Sequence, residues 1–320
     1  MDVIEGKYSV MLSVFCTTYN HEKYISQALD GILMQKTQYS FEVLIGEDAS
    51  TDNTREILKS YEAKYPGRFQ IFYRDHNMSK EEITNSGDLI RRCKGKYLML
   101  LECDDYWSDE FKIEKQIDFL ESHPEYIAVA HNCIVVGEDS QPLDECYPEC
   151  KDEEYTLGHY ACDILPGQSA TIMCRNYVID NIFDTSFIHA SISPADRRKY
   201  FTFVANGKVH CIQEVMSAYR HVTKGGSSYS ATVKYSKERE NKWLRAQLDY
   251  AYRRIDKRNA IICAELNYLS FIRYSFFHKR VSLGESVHLI GCIKHKARAF
   301  IWLAKRDFAK RLLKRSIKLS

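Results

Sequence analysis

The apolar run Tyr97-Leu98-Met99-Leu100-Leu101 is followed at once by Glu102, Asp104 and Asp105, three carboxylates within four residues. A run this short cannot span a membrane, and one this apolar is buried on both faces when it folds as a strand. The pattern therefore sets acids at the edge of a sheet, where a divalent cation and a phosphorylated ligand can meet. Acids also close strands because they suit turns, so other segments must decide between the two uses.

Those segments repeat the same pattern. Residues 10–16 form an apolar strand candidate entering the polar turn Thr17-Thr18-Tyr19-Asn20, with Asn20 placed to cap a helix. Ile25, Ala28, Leu29, Ile32 and Leu33 give that helix its apolar spacing. Residues 41–46 make a second strand ending in Glu47-Asp48-Ala49-Ser50-Thr51-Asp52, and a helix carrying Ile57, Leu58, Tyr61 and Tyr65 follows. Strands at 69–73 and 97–103, separated by a helix near 81–93, complete the series. A helix at 110–122 and a strand at 127–136 come next, then a polar irregular stretch, 137–165. Strands at 169–174 and 209–212 bracket a helix at 195–205. Strands alternating with helices at this spacing predict a mainly parallel α/β sheet covered on both faces.

No apolar run reaches the roughly 18 residues of a spanning helix, and residues 1–6 lack the basic start of a signal peptide. Eleven cysteines include no CxxC pair, which fits reduced thiols in a cytoplasmic protein. Cys146, Cys150, His159 and Cys162 offer zinc ligand types at a spacing of no familiar finger. Charge is uneven. Residues 271–320 hold thirteen Lys or Arg against two acids, while the other 270 residues are net acidic. The glycine-serine stretch 224–228 predicts a catalytic domain over 1–230 and a helical extension over 231–320.

The segments 14–20, 46–54 and 95–107, in that order, resemble family 2 glycosyltransferases of the GT-A (Rossmann-like) fold, over roughly residues 9–226. Glu102-Cys103-Asp104-Asp105-Tyr106-Trp107 is similar to the motif of a bacterial branch that assembles cell-surface polysaccharides. The resemblance implies a nucleotide-diphosphate-sugar donor, a saccharide or lipid-linked acceptor and metal-dependent, inverting transfer. It implies that Thr17, Tyr19, Asp48 and Glu102 contact the nucleotide-sugar and that Asp104 ligates Mg²⁺ or Mn²⁺, hard cations suited to carboxylate oxygen. Asp196, ahead of Tyr219-Arg220-His221, matches the family's general base; a first-turn acid favoured by the helix dipole reads the same way. Glu47, Asp105, Trp107, Gln168, Arg220 and His221 are further site candidates. Trp107 also reads as a core residue, Gln168 as a group satisfying backbone, and Asp52 as a structural turn acid.

Two rival functions are weaker. A nucleotidyltransferase would favour a Gly- and Lys-rich phosphate loop after the first strand, which residues 16–21 lack. A membrane-surface adaptor that has lost turnover would not need Asp48, Asp104 and Asp196. No motif for nucleic acid is present. From Ser286 onward, Ile290, Ile293, Ala297, Phe300, Ile301, Ala304, Phe308, Leu312 and Leu313 recur at helical spacing among many bases. This predicts an amphipathic helix on the inner, anionic face of the membrane, with Phe300 and Trp302 as anchors.

Overall fold

The apolar runs become neighbouring strands of one mixed sheet whose first half is parallel. The computed structural model describes residues 7–190, 192, 194–222 and 236–310. Its strands are β1 (Val10–Thr18), β2 (Phe41–Glu47), β3 (Gln70–Tyr73), β4 (Gly95–Glu102), β5 (Tyr106–Trp107), β6 (Tyr126–Val136), β7 (Glu154–Tyr155), β8 (Met173–Arg175) and β9 (Lys208–Arg220). The sheet runs in the order β3-β2-β1-β4-β8-β6-β9-β5. Strands β1 to β4 pair in parallel, and β8 lies antiparallel between β4 and β6. Helices α1 (Ile25–Leu33), α2 (Thr54–Lys64), α3 (Asn85–Arg92), α4 (Lys112–Ser122), α5 (Leu157–Ala161), α6 (Tyr177–Asp180) and α7 (Ala195–Asn206) lie along the same part of the chain. Then come α8 (Lys237–Arg254), α9 (Arg258–Phe277), α10 (Leu283–Gly291) and α11 (Lys296–Phe308).

The chain forms two compact units. One comprises Met1–Glu153, Pro166–Ile182 and His210–Val233; the other comprises Glu154–Leu165, Phe183–Val209 and Lys234–Ser320. The boundary expected at 230/231 and the stretch 224–228 lie outside the described residues, as do Leu312 and Leu313. No helix among the described residues is long and apolar enough to cross a membrane.

In the first unit, β1 is buried along nearly its whole length because β2 and β4 flank it and helices cover its faces. Gly95 makes the tight β1–β4 pairing possible: a Cβ there would lie 2.4 Å from the Ser13 nitrogen. Helix α1 buries Ile25, Ala28, Leu29 and Ile32 as one stripe, worth about 1.5–3 kcal/mol for each large side chain. Strand β9 is far longer than the strand expected at 209–212. Its middle residues Gln213, Glu214 and Val215 are exposed, so the hydrophobic pattern breaks although the backbone continues.

In the second unit, the aromatic rings of Tyr160, Phe187, Phe201 and Tyr250 pack together. Arg198 is buried and donates to the carbonyls of Phe187 and Ile188. Arg197 pairs with Asp163 at 2.9 Å and lies over the Tyr160 ring. The expected anchor Trp302 is corrected here. It is buried, along with Ala299 and Leu303, because α11 uses that face to pack on its own unit; Ile293, between α10 and α11, is buried too.

Candidate functional site

Parallel pairing brings the carboxyl ends of three strands into register. Thr17 stands between Gly46 of β2 and Glu102 of β4, and Thr18 is opposite Glu47. The ladder continues past the strands: Asp48 N–H donates to the Thr18 carbonyl and Cys103 N–H to the Thr17 carbonyl. Thr17, Tyr19, Glu47, Asp48, Glu102 and Asp104 are thereby gathered at one sheet edge.

The loops after β1 and β2 are latched to each other. Asn20 N–H donates to Ser50 Oγ, Thr51 N–H to Asn20 Oδ1, His21 N–H to Thr54 Oγ1 and Glu22 N–H to Asp52 Oδ2, all within 3.0 Å. Asn20 and Ala49 adopt positive φ (55° and 59°) to make these turns. This corrects the cap expected at Asn20. Helix α1 starts after Tyr24 and α2 after Asn53, neither with a side-chain cap. Asn20 and Ser50 bind the opposite loop instead. Asp52 is structural as expected, accepting from the Thr54 and Glu22 amides.

The acids at this edge have different surroundings. Glu47 is fully buried; it accepts Ser50 N–H at 2.6 Å and pairs with Arg55 at 2.5 Å. Asp48 accepts Met78 N–H at 2.8 Å through Oδ1, and burial raises its pKa. Asp105 is buried between Gln168 Nε2 at 2.6 Å and Arg220 N–H at 2.7 Å. Burial, then the neighbouring Asp104 charge, pushes the Asp105 carboxyl well above its ordinary range. Asp104 differs from these three. It is half-buried, and its carboxylate takes no hydrogen bond or ion pair from any described residue.

Arg220 frames this loop from beneath and is almost fully buried. Its Nε donates to the Asp104 carbonyl (2.8 Å), one terminal nitrogen to the Gly137 carbonyl (2.7 Å) and the other to Gln27 (2.8 Å). The guanidinium stacks on Tyr24 at 4.3 Å. Arg220 therefore fixes the Asp104 loop, the 137–140 turn and α1 to one another, leaving little of its fork for a ligand. Gln168 likewise turns inward, its Oε1 accepting Ala170 N–H. Trp107 is a core residue with buried Lys112 over its ring at 4.8 Å. His221 pairs with Glu145 at 2.6 Å.

Sequence reasoning missed His21, Tyr24, Gln27 and the Met78 amide. His21 Nδ1 lies 3.3 Å from Thr18 Oγ1; burial lowers its pKa while Asp104 and Asp52 pull it upward. A histidine inside the polar turn after β1 was the available signal. The Met78 amide carried none, because a backbone donor has no residue type. Asp196 belongs to the second unit, in the first turn of α7, where its Oδ1 accepts Arg197 N–H at 2.7 Å. Of the zinc-type residues, Cys146 (exposed) and Cys150 (buried) are in the first unit. His159 and Cys162 are in the second, and His159 completes the capping box of α5 with Thr156.

The oxygens at this edge are hard ones: the Asp104 carboxylate, which takes no hydrogen bond or ion pair among the described residues, with Glu102 two residues before it and Thr17 in register with Glu102. That donor set fits Mg²⁺ or Mn²⁺ and does not suit a soft metal.

Residues 13–145 match the model of the family described as Glycosyl transferase family 2. The uncharacterized protein Rv1520 of Mycobacterium tuberculosis is 32% identical over 220 residues, 67% of this chain and 60% of that protein. TuaG of Bacillus subtilis, provisionally named a teichuronic acid biosynthesis glycosyltransferase, is 31% identical over 136 residues, 42% of this chain and 51% of that one. The chain thus spans between about half and three fifths of the length of these curated relatives. The crystal structure of S. aureus TarS 1–349 in complex with UDP-GlcNAc has a TM-score of 0.64 at 18% identity, covering 90% of this chain and 81% of that one. At that identity the likeness is one of fold, the GT-A-like arrangement of sheet and helices followed by a helical region.

Proposed function

We propose that this chain, whose residues 13–145 form a Glycosyl transferase family 2 domain, is a glycosyltransferase. In this reading it moves a sugar from a nucleotide-diphosphate-sugar to a saccharide or lipid-linked saccharide during cell-surface polysaccharide synthesis, at the cytoplasmic face of the membrane. One observation carries the reading. Among the acids at the sheet edge, Asp104 alone takes no protein partner among the described residues, while Asp105 and Arg220 hold its backbone rigidly. The TarS likeness and the TuaG name support the donor class and the pathway class respectively.

Thr17, Tyr19 and Asp48 bind the nucleoside, with Asp48 accepting hydrogen bonds from base or ribose. Asp104, with Glu102 two residues before it, would hold a divalent cation. That cation, when bound, supplies charge to balance the departing nucleoside diphosphate. In a single displacement, the acceptor oxygen bonds to the anomeric carbon as the bond to the diphosphate breaks, inverting the centre. The acceptor proton passes to a base, a role assigned to Asp196.

The test is thermal shift with nucleoside diphosphates and nucleotide-sugars, with and without Mn²⁺, since ligands of the native state raise its stability by mass action. Asp104→Ala should lose the Mn²⁺-dependent part of the shift and keep the ligand-free melting temperature. An undiminished shift in that variant would reject the metal assignment. Asp196→Asn should lose about a hundredfold or more in transfer and keep donor binding. A near-normal rate would remove Asp196 as base.

A further inference from the structure

Helix α11 of the second unit is apolar on two opposite faces. Its inward face buries Ala299, Trp302, Leu303 and the stem of Arg306. Its outward face exposes Ala297, Phe300, Ile301, Ala304 and Phe308, spaced i, i+3, i+4, i+7 and i+11 along a single stripe. Lys296, Arg298 and Lys305 border that stripe. Arg273 near the end of α9 pairs with Asp307, setting the ends of the two helices side by side. There Tyr274, Phe276 and Phe277 are exposed too. Helix α10 adds Leu283 and Val287, one turn apart and 69% and 63% exposed.

Single exposed hydrophobic residues are ordinary, but a stripe of this length with basic borders is an interaction surface. We infer that it seats on an anionic lipid bilayer, with the apolar stripe at the headgroup boundary and the bordering bases on lipid phosphates. This names the surface behind the proposed membrane location and depends on no step of the transfer chemistry. Charge selects the occupant. Residues 271–310 carry nine bases against two acids, so a two-fold pair of these faces would set like charges against each other. Arg298 also lines a cavity of about 360 Å³ with Arg258, His295 and Asp256 over Ile261 and Ile262. Neither arginine there has a hydrogen bond or ion pair among the described residues, which leaves two cations for a phosphate head group.

Co-sedimentation of the full chain, without donor or metal, tests the inference. Phosphatidylglycerol-containing vesicles at low salt should pellet the protein, and pure phosphatidylcholine vesicles should pellet much less. The double variant I301E/F308E should weaken binding about tenfold or more, because it places charge in the stripe. K296E/K305E should weaken binding to the anionic vesicles alone. Both pairs are solvent-exposed, and circular dichroism melting checks that each variant is folded. Retention of the parent in the supernatant with anionic vesicles would overturn the inference, as would unaltered binding of I301E/F308E. So would a lipid-free dimer that I301E/F308E dissolves while vesicle binding stays the same. These outcomes are independent of nucleotide binding, so they leave the catalytic reading to its own test.

Discussion

At the sheet edge of the first unit, Glu47, Asp105 and Arg220 are ionisable groups held out of water. On α11 of the second, Phe300, Ile301 and Phe308 are hydrophobic side chains held in it. The first arrangement is self-satisfied: every buried charge meets named donors or acceptors, and the result is a rigid frame around one open carboxylate. The second arrangement has no internal answer among the described residues, which is the ground for the lipid surface proposed above. Buried charge here reads as positioning, and exposed hydrophobic surface reads as docking.

The frame is the easier half to break. Arg220→Met should cost about 3–5 kcal/mol in urea unfolding, since it strands the carbonyls of Asp104 and Gly137 without their buried cation. Asp104→Asn, one side chain away, should stay within about 0.5 kcal/mol because it removes no protein contact. It also removes the charge that, after burial, does most to raise the pKa of Asp105. If the two variants cost the same, the division between framing and open carboxylates is wrong.

The docking half is sharpened on a single helix. Leu303 is buried and should lose about 2–4 kcal/mol on truncation to Ala, through lost transfer energy and the cavity left behind. Ile301, two residues away and 57% exposed, should change by no more than about 0.5 kcal/mol on the same truncation. A large cost at Ile301 would mean that the outward face is covered by the chain itself, removing the ground for a lipid surface.

Much of the first unit was legible because its information is local. The run from Tyr97 to Leu101 is a strand since few other elements bury so many apolar residues in so short a span. The acids that follow fall at its carboxyl end, and α1 follows from the spacing of Ile25, Ala28, Leu29 and Ile32. The latch between loops was not legible. Asn20 and Ser50 are good helix caps by type, and only the pairing of β1 with β2 makes each a partner for the other. Arg220 reads as a phosphate ligand by type, yet β9 delivers it beneath the Asp104 loop, where carbonyls take its donors. Of the single helix expected from Ser286 onward, the periodicity located the exposed stripe from Ala297 to Phe308, but it missed the break between α10 and α11, the burial of Ile293 and which of two stripes on α11 faces inward. Trp302 was assigned outward on size and amphipathic character, and packing put it inside.

The smallest effect separates the two regions by pH. Asp105 in the frame has a raised native pKa, from burial and the Asp104 charge, so its contribution is fully present below the unfolded value and is lost as pH rises through the native one. Asp307 on the docking helix, paired with Arg273 of α9, is opposite. Burial pushes its pKa up, but Arg273 and then Arg306 outweigh that and leave it lowered. Its stabilisation is present above the unfolded carboxyl value of about 3.9 and disappears as pH falls through the native pKa. Asp307→Asn should therefore cost roughly 0.5–1 kcal/mol near neutrality and progressively less below pH of about 4, where the parent has lost the same pairing. Urea unfolding of parent and variant at a series of pH values from neutral downward gives the difference directly. A difference that stays constant into acid would show that Asp307 acts through packing, leaving the ion pair with Arg273 without a part in holding α11 to α9.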